Sequence, residues 1–195
     1  MATKRDGTSP IITHGSVYLR PAERDDIPLF VRWMNDDRTS RTLSLVSPMS
    51  IVMEEGWFDR MVERHGKDGY HFVICLLADD RAVGTIGLFG LDLQNGSAGL
   101  GISVGDPADT NKGLGTDAVR AIVGWGFDML RLERIWLDVY DFNERARTVY
   151  ERIGFVHEGT ERHAVFRHGR FADLHKMSIL AGEWREHRAA TENGG

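Results

Sequence analysis

The sequence predicts a mixed α+β domain in which a central mixed, mostly antiparallel sheet of about seven strands is flanked by about four helices. Three observations predict it. Apolar, β-rich runs are separated by short polar breaks at Asp79-Asp80 and Gln94-Asn-Gly96, which read as consecutive antiparallel strands. A long helical pattern over 113–131 intervenes before the next strand, so the sheet has one clear crossover. Two helical stretches precede most of the strands instead of alternating with them, unlike a doubly wound nucleotide-binding fold.

Taken in order, residues 1–15 are polar and broken by Gly7 and Pro10, and a flexible arm is expected there. One domain is expected over 16–182. Val17-Tyr-Leu-Arg-Pro21 reads as a short strand. Glu23-Arg-Asp-Asp26 opens an acidic helix with apolar positions Ile27, Phe30, Val31 and Met34 and with Trp33 alongside; Asn35-Asp-Asp37 ends it. Arg38 to Pro48 is a loop rich in Ser and Thr. Ser50 can cap a second helix through about Arg64, where Val52, Trp57, Met61 and Val62 form an approximate stripe. Strands follow at Tyr70–Leu77, Ala82–Leu91 and Ser97–Gly105. The central helix carries Ala118, Ile122, Trp125 and Met129 at three- and four-residue steps. Arg134–Asp141 is a strand, Asn143–Ile153 a short helix, and Phe155–Ala181 a long hairpin around Arg167-His-Gly-Arg170. The charged tail, 183–195, reads as a frayed helix.

At 195 residues with 42% hydrophobic and 27% charged residues, the chain can bury a substantial core. A formal charge of −5 excludes a general nucleic-acid binder, which carries a basic excess. No apolar run approaches the roughly twenty residues of a membrane span. Met1–His14 has no signal-peptide apolar block, and the single cysteine cannot form an intrachain disulfide. A cytoplasmic protein is expected.

One stretch organises the rest: Leu100-Gly-Ile-Ser-Val-Gly105 followed by Asn111-Lys-Gly-Leu-Gly-Thr116. A strand ending at Gly105-Asp106-Pro107 leads to a helix whose mouth carries two glycines and Lys112. The first turn of a helix has N–H donors without intrahelical partners, and its dipole favours negative charge. The glycines leave those donors uncovered, so the stretch reads as a diphosphate cradle. A nucleoside-triphosphate loop needs Gly-Lys-Ser/Thr, whereas Lys112 precedes Gly113. A dinucleotide fingerprint fits Gly113-x-Gly115-x-x-Ala118, with Asp138 and Asp141 near the downstream acid position. Against it, Asp106 to Lys112 separate the strand from the glycines where that fold needs a tight turn. A glycine turn without a ligand is the third reading of this spacing.

The second informative block runs from Leu137-Asp-Val-Tyr-Asp-Phe-Asn143 through Arg145-Ala-Arg-Thr-Val-Tyr150 to Ile153-Gly-Phe155. Asn143 can cap the short helix. Tyr150 lies two turns on, in the apolar stripe of Ala146, Val149 and Ile153. Periodicity alone favours a core role for it. A phenol at the rim of that stripe would instead donate a proton, because its ordinary pKa of ~10 keeps it protonated at neutral pH.

Together the blocks resemble the GNAT superfamily of acyl-CoA N-acyltransferases, closest to the branch of ribosomal-protein N-terminal, polyamine and drug acetyltransferases. Trp33-Met-Asn-Asp36, Gly101-Ile-Ser-Val-Gly105 through Gly113-Leu-Gly115-Thr116, and Asn143 through Tyr150 to Gly154-Phe155 carry the match. Gly159, Gly169 and Asp173 of the last hairpin add to it, and it spans about residues 17–181. The resemblance implies direct transfer of an acetyl group from acetyl-CoA to a primary amine, on a small molecule or a protein N-terminus, with no metal.

Under that resemblance, Ile102, Ser103 and Val104 are the strand whose backbone pairs with pantetheine. The N–H around Val104 receives the oxyanion. Asn111, Lys112, Gly113, Leu114, Gly115 and Thr116 become the pyrophosphate loop. Asn143 is the family asparagine near the pantetheine arm, and Tyr150 the tyrosine that protonates the leaving thiolate. Arg147, with Arg145, would reach the nucleotide phosphates, although a solvated helix face also accounts for both. Trp33, Asp36, Asp138 and Asp141 are expected to contact the acceptor, beside Asp37 and the Arg38–Pro48 loop. A homodimer is a further implication of the family; no membrane partner is expected.

Two positions depart from the family pattern. Thr110 stands where Arg or Gln usually precedes the first loop glycine by three. Ala98-Gly99 stands where many relatives place a glutamate that deprotonates the amine through water. The base is therefore open among Asp36, Asp138, Asp141, Glu158, Asp173 and a chain of waters. A non-catalytic acyl-CoA-binding or sensor module is the rival reading, and a dinucleotide-dependent oxidoreductase a more distant one. Cys75, inside Phe72-Val-Ile-Cys-Leu-Leu77, is expected as a packed core thiol. His157, His163, His168 and His175 lack zinc spacing.

Overall fold

The computed structural model describes residues 11–43, 47–167 and 169–192. They form eight strands: β1 (Ile12–His14), β2 (Val17–Pro21), β3 (Gly69–Leu76), β4 (Ala82–Asp92), β5 (Ser97–Val104), β6 (Arg134–Tyr140), β7 (Val156–Arg167) and β8 (Arg170–Leu180). Six helices accompany them: α1 (Ile27–Met34), α2 (Asp37–Ser40), α3 (Ile51–Arg64), α4 (Leu114–Met129), α5 (Glu144–Ile153) and α6 (Ala181–Glu192). Strand order is β1-β2-β3-β4-β5-β6-β8-β7. β5 and β6 pair in parallel, whereas β1–β2, β2–β3, β3–β4, β6–β8 and β7–β8 are antiparallel. This is the mixed α+β architecture the sequence predicts.

Three elements exceed the expected seven strands and four helices. Ile12–His14 pairs with Val17–Leu19 across the two-residue turn Gly15-Ser16. The remainder of the expected arm, residues 1–10, lies outside the described residues. Within the expected Arg38–Pro48 loop, Asp36 starts α2 by accepting from Arg38 N at 3.0 Å and Thr39 N at 3.2 Å; residues 44–46 of that loop lie outside the described residues. The expected frayed tail is helical through Glu192. His168 lies outside the described residues.

The chain clusters into two compact units, the first reaching from the described N-terminal residues to Phe89 and resuming over Gly101–Ile122. In it, α1 starts at Ile27-Pro28 and buries Ile27, Phe30 and Trp33. Cys75 is fully buried with Tyr18, Phe30, Trp33 and Val73, the packed thiol expected. Ser50 caps α3 by accepting from Met53 N at 3.2 Å. Ile27, Phe58 and Met61 form a second cluster.

The second unit takes in Gly90–Leu100 and the residues from Val123 on. Its sheet is pinned by polar contacts. Glu158 receives both Arg134 guanidinium nitrogens, one at 2.6 Å, and the buried Ser178 hydroxyl at 2.8 Å. The Arg134 guanidinium beside it pushes the Glu158 carboxyl down to about 2. A carboxylate whose folded pKa lies below its unfolded value (about 4.3) adds stability above that value and loses it as pH falls toward the folded pKa. Part of the acid unfolding of this protein is therefore expected between about pH 4 and 2. Arg134→Met should move the midpoint, followed by circular dichroism, to higher pH; an unmoved midpoint would remove the pair from the acid-stability account.

α4 is named across both units. Its buried side includes Leu114, Ala118, Val119, Ala121, Ile122, Val123 and Phe127, a broader stripe than the sequence pattern. Each of its larger aliphatic side chains is worth roughly 1.5–3 kcal/mol buried. Met129 is 65% exposed, because the last turn runs past the core.

Candidate functional site

In the first unit, the end of β5 has a defined orientation. Gly105 N–H donates to Val83 O at 2.8 Å, which turns that amide toward β4. Successive strand residues direct their N–H and C=O to opposite edges. Ile102 and Val104 therefore point theirs away from β4. The parallel ladder with β6 covers Ser97 to Gly99, and β5 continues through Ser103 to Val104.

The loop that follows combines a short turn with two left-handed residues. Asp106 starts a short 3-10 turn over Pro107–Asp109 by accepting from Ala108 N at 2.8 Å. Asn111 and Gly113 both adopt left-handed backbone, φ 64° and 79°, on either side of Lys112. Alternating handedness turns successive N–H groups toward one point, the nest geometry that binds anions. The helical ladder of α4 begins with Asp117 N donating to Gly113 O at 3.0 Å. The amides of Leu114, Gly115 and Thr116 precede that bond and have no intrahelical acceptor. A Cβ at Gly113 would meet nothing within 4 Å, and one at Gly115 only the Val104 and Ile102 methyls, at 3.6 and 3.9 Å. The two glycines therefore open a surface on which the residues present fit a diphosphate.

Lys112 is not a loose cation. Its Nζ lies 3.1 Å from Asp109, which is 3% exposed and receives both Arg81 guanidinium nitrogens, at 2.5 and 2.9 Å. Hydrogen bonds from Arg81 hold the Asp109 carboxyl below the usual carboxylate range, against the opposing effect of burial. Thr110, in place of the family's Arg or Gln, turns its hydroxyl onto Pro107 O at 2.7 Å. Asp109 and Arg81 carry this arrangement and were missed in the sequence, where 28 positions separate them. The Asp109-to-Lys112 spacing was the only local signal.

Trp33 and Asp36 lie in the same unit. Trp33 is 5% exposed, packed against Phe30 and covering Gly105, so most of its surface is spent in the core. Asp36 is occupied as the α2 cap, and Thr39 of that helix donates through Oγ1 to Gly105 O at 3.1 Å.

The second unit holds the remaining candidates. Asn143 caps α5 by accepting from Ala146 N at 3.3 Å, and Gly154 ends it at φ 114°. Tyr150 is 9% exposed, beside the Phe155 ring at 5.7 Å. Burial pushes its phenol up to about 12. No described residue hydrogen-bonds its hydroxyl. Arg147 is paired with Glu151 at 2.9 Å along the helix face.

Among the carboxylates, Asp138 binds Lys176 at 2.9 Å. Asp173 accepts from His163 N at 2.8 Å. Asp141 Oδ2 accepts from Asp173 N at 3.3 Å, whereas its buried Oδ1 has no hydrogen bond and faces Arg170 at 3.9 Å. Glu158, held near 2 by Arg134, is too weak a base for an ammonium. Ala98 and Gly99 are buried within the β5–β6 ladder.

His157 and His175 share the Thr160 hydroxyl, at 3.1 and 2.8 Å. Among the described residues, no group of three His, Cys, Asp or Glu is placed to hold a metal ion. No described helix is long and apolar enough to cross a membrane.

The family described as "Acetyltransferase (GNAT) domain" matches residues 16–156. The probable N-acetyltransferase YjcK of Bacillus subtilis (strain 168) is 32% identical over 173 residues, 85% of this chain and 94% of that protein. Spermidine N(1)-acetyltransferase of Escherichia coli (strain K12) is 27% identical over 175 residues, 89% of this chain and 91% of that one. The crystal structure of spermidine N-acetyltransferase from Vibrio cholerae in complex with CoA and spermine superposes with a TM-score of 0.81 at 24% identity, covering 87% of this chain and 98% of that one.

Proposed function

Because the chain belongs to the GNAT acetyltransferase family and is an acetyl-CoA-dependent N-acetyltransferase, we propose that it acetylates a cationic primary amine directly, using Val104 and Tyr150 for the chemistry. The observation that carries this reading is the run of β5 into the glycine-mouthed α4. The edge amides of Ile102 and Val104 lead into a left-handed loop and three amides of a helix start that lack intrahelical acceptors.

The thioester supplies the acetyl group. Val104 N–H stabilises the oxyanion that forms as the amine adds, and Ile102 and Ser103 align the pantetheine arm. The loop Asn111–Thr116 holds the diphosphate through its amides, with Lys112 sharing its charge between Asp109 and the ligand. Tyr150 donates its proton to the departing thiolate, a task for which a phenol held protonated across the neutral range is suited. Asn143 and Arg147 complete the donor contacts.

Asp141 is the acceptor-facing acid this reading favours, because its buried Oδ1 lacks the hydrogen bonds that satisfy Asp36. Asp138, tied to Lys176, is the weaker contact. In this reading the amine loses its proton to water, since Asp36, Asp138, Glu158 and Asp173 are engaged, Asp141 is assigned to the acceptor, and no acid stands at Ala98-Gly99. A cytoplasmic location is in keeping with a lone buried cysteine. A homodimer rests on the family resemblance.

Thiol release from acetyl-CoA, measured over polyamines, aminoglycosides and peptides with free N-termini, tests the reading. One class is expected to stand out, with activity rising toward the acceptor's own pKa. CoA binding without transfer to any amine would turn the protein into a sensor module.

A further inference from the structure

We infer that Ser16 and Asp117 form a latch which keeps the mouth of α4 free for the phosphates of the acetyl donor, making Ser16 a positioning residue for donor binding. The inference rests on the donor-loop reading above and adds residues from a different part of the chain.

Gly15 and Ser16 are the two residues of the β1–β2 turn. Gly15 has φ 54°, the positive value that a type II′ turn places at its first central residue. Ser16 donates to one oxygen of Asp117 twice, from its backbone N at 3.0 Å and from its hydroxyl at 2.9 Å. The fit is close: a Cβ on Gly15 would lie 2.3 Å from that same carboxylate.

Asp117 sits in the first turn of α4, the position where an acidic side chain is drawn toward uncovered helix amides. In a helix whose first turn serves a diphosphate, such a carboxylate is a competitor. It can cover the donors with its own oxygens, and it repels the incoming charge at short range. Two donors from one serine, both on Oδ2, hold the carboxylate against the β1–β2 turn. The amides of Leu114, Gly115 and Thr116 are left to the ligand. Without the hydroxyl, only the residue 16 backbone N–H still holds the carboxylate, and the balance shifts toward its swinging back over the helix mouth.

Ser16→Ala tests the latch. CoA affinity by isothermal titration is expected to fall about tenfold, the scale of one lost hydrogen bond to a charged group. Turnover at saturating acetyl-CoA should stay within about twofold, since no reacting atom is touched. With S-acetylpantetheine, which has no phosphates, kcat/KM should not change. The double variant Ser16→Ala/Asp117→Ala, which removes the competing carboxylate, should regain most of the CoA affinity. Equal CoA binding by Ser16→Ala and wild type, a matching loss with S-acetylpantetheine, or no recovery in the double variant would each overturn the latch. Failure of the wild type itself to bind CoA would instead overturn the donor-loop reading.

Discussion

Tyr150→Phe is expected to lower kcat by roughly 10²–10³-fold while leaving the KM for acetyl-CoA within a few-fold, the signature of an interaction made only in the transition state. The substitution is well isolated. The ring remains against Phe155 in its buried place, so packing is retained. No described residue accepts or donates at the hydroxyl, so its removal strands no partner. The variant should therefore match wild type in urea denaturation at neutral pH.

The two proteins should differ in alkali. A phenol whose folded pKa is raised, here to about 12, gives stability that is complete below its unfolded pKa of about 10 and is lost as pH rises through the folded value. Wild type should lose that increment between about pH 10 and 12, and Tyr150→Phe should not. The same displacement keeps the Tyr150 phenol protonated through any assay below about pH 11, so with Tyr150 in its proposed role the acidic limb of the rate profile belongs to the amine. Unchanged kcat in Tyr150→Phe would return Tyr150 to the core role that its periodicity favours.

What could be read from the sequence was local. Ser50 and Asn143 are caps because a short polar side chain precedes an apolar period, and both accept the amide three residues on. The glycine mouth of α4 was legible because Gly113 and Gly115 sit at a change of periodicity. Asn35-Asp-Asp37 misled for a related reason: the residues that end one helix also cap the next, and Asp36 starts α2. β1 was hidden because three residues carry almost no pattern; it exists through pairing with β2 across Gly15-Ser16.

Partners distant in sequence were not legible at all. Arg81 with Asp109, Arg134 with Glu158, and Ser16 with Asp117 are separated by 28, 24 and 101 positions, and each fixes where its carboxylate is held. Lys112 reads as a free cation until Asp109 is seen beside it. Trp33 reads as an acceptor contact in the sequence, where its burial with Tyr18, Val73 and Cys75 cannot be seen.

Gly105→Ala should be strongly destabilising, and the reason joins Trp33 to the end of β5. A Cβ at Gly105 would lie 2.0 Å from Trp33 Cδ2 and 2.2 Å from Cε2, well inside any contact that side chains make. Neither side can yield cheaply. The indole is 5% exposed, beside Phe30 and within a packed cluster. Gly105 is held from both ends, by its N–H on Val83 O and by Thr39 Oγ1 on its C=O.

Overpacking of a close-packed core costs typically 1–3 kcal/mol, and an overlap this deep puts the expected loss at about 3 kcal/mol or more. In urea the midpoint should fall with m unchanged. Trp33→Leu in the Gly105→Ala background should recover part of the loss, because the indole Nε1 has no hydrogen bond to forfeit. Activity measured where Gly105→Ala is still folded should also fall, since any shift that relieves the overlap re-aims the neighbouring Val104 N–H. A stable, fully active Gly105→Ala protein would mean that the indole moves aside freely, and that Trp33 does not set the position of the end of β5.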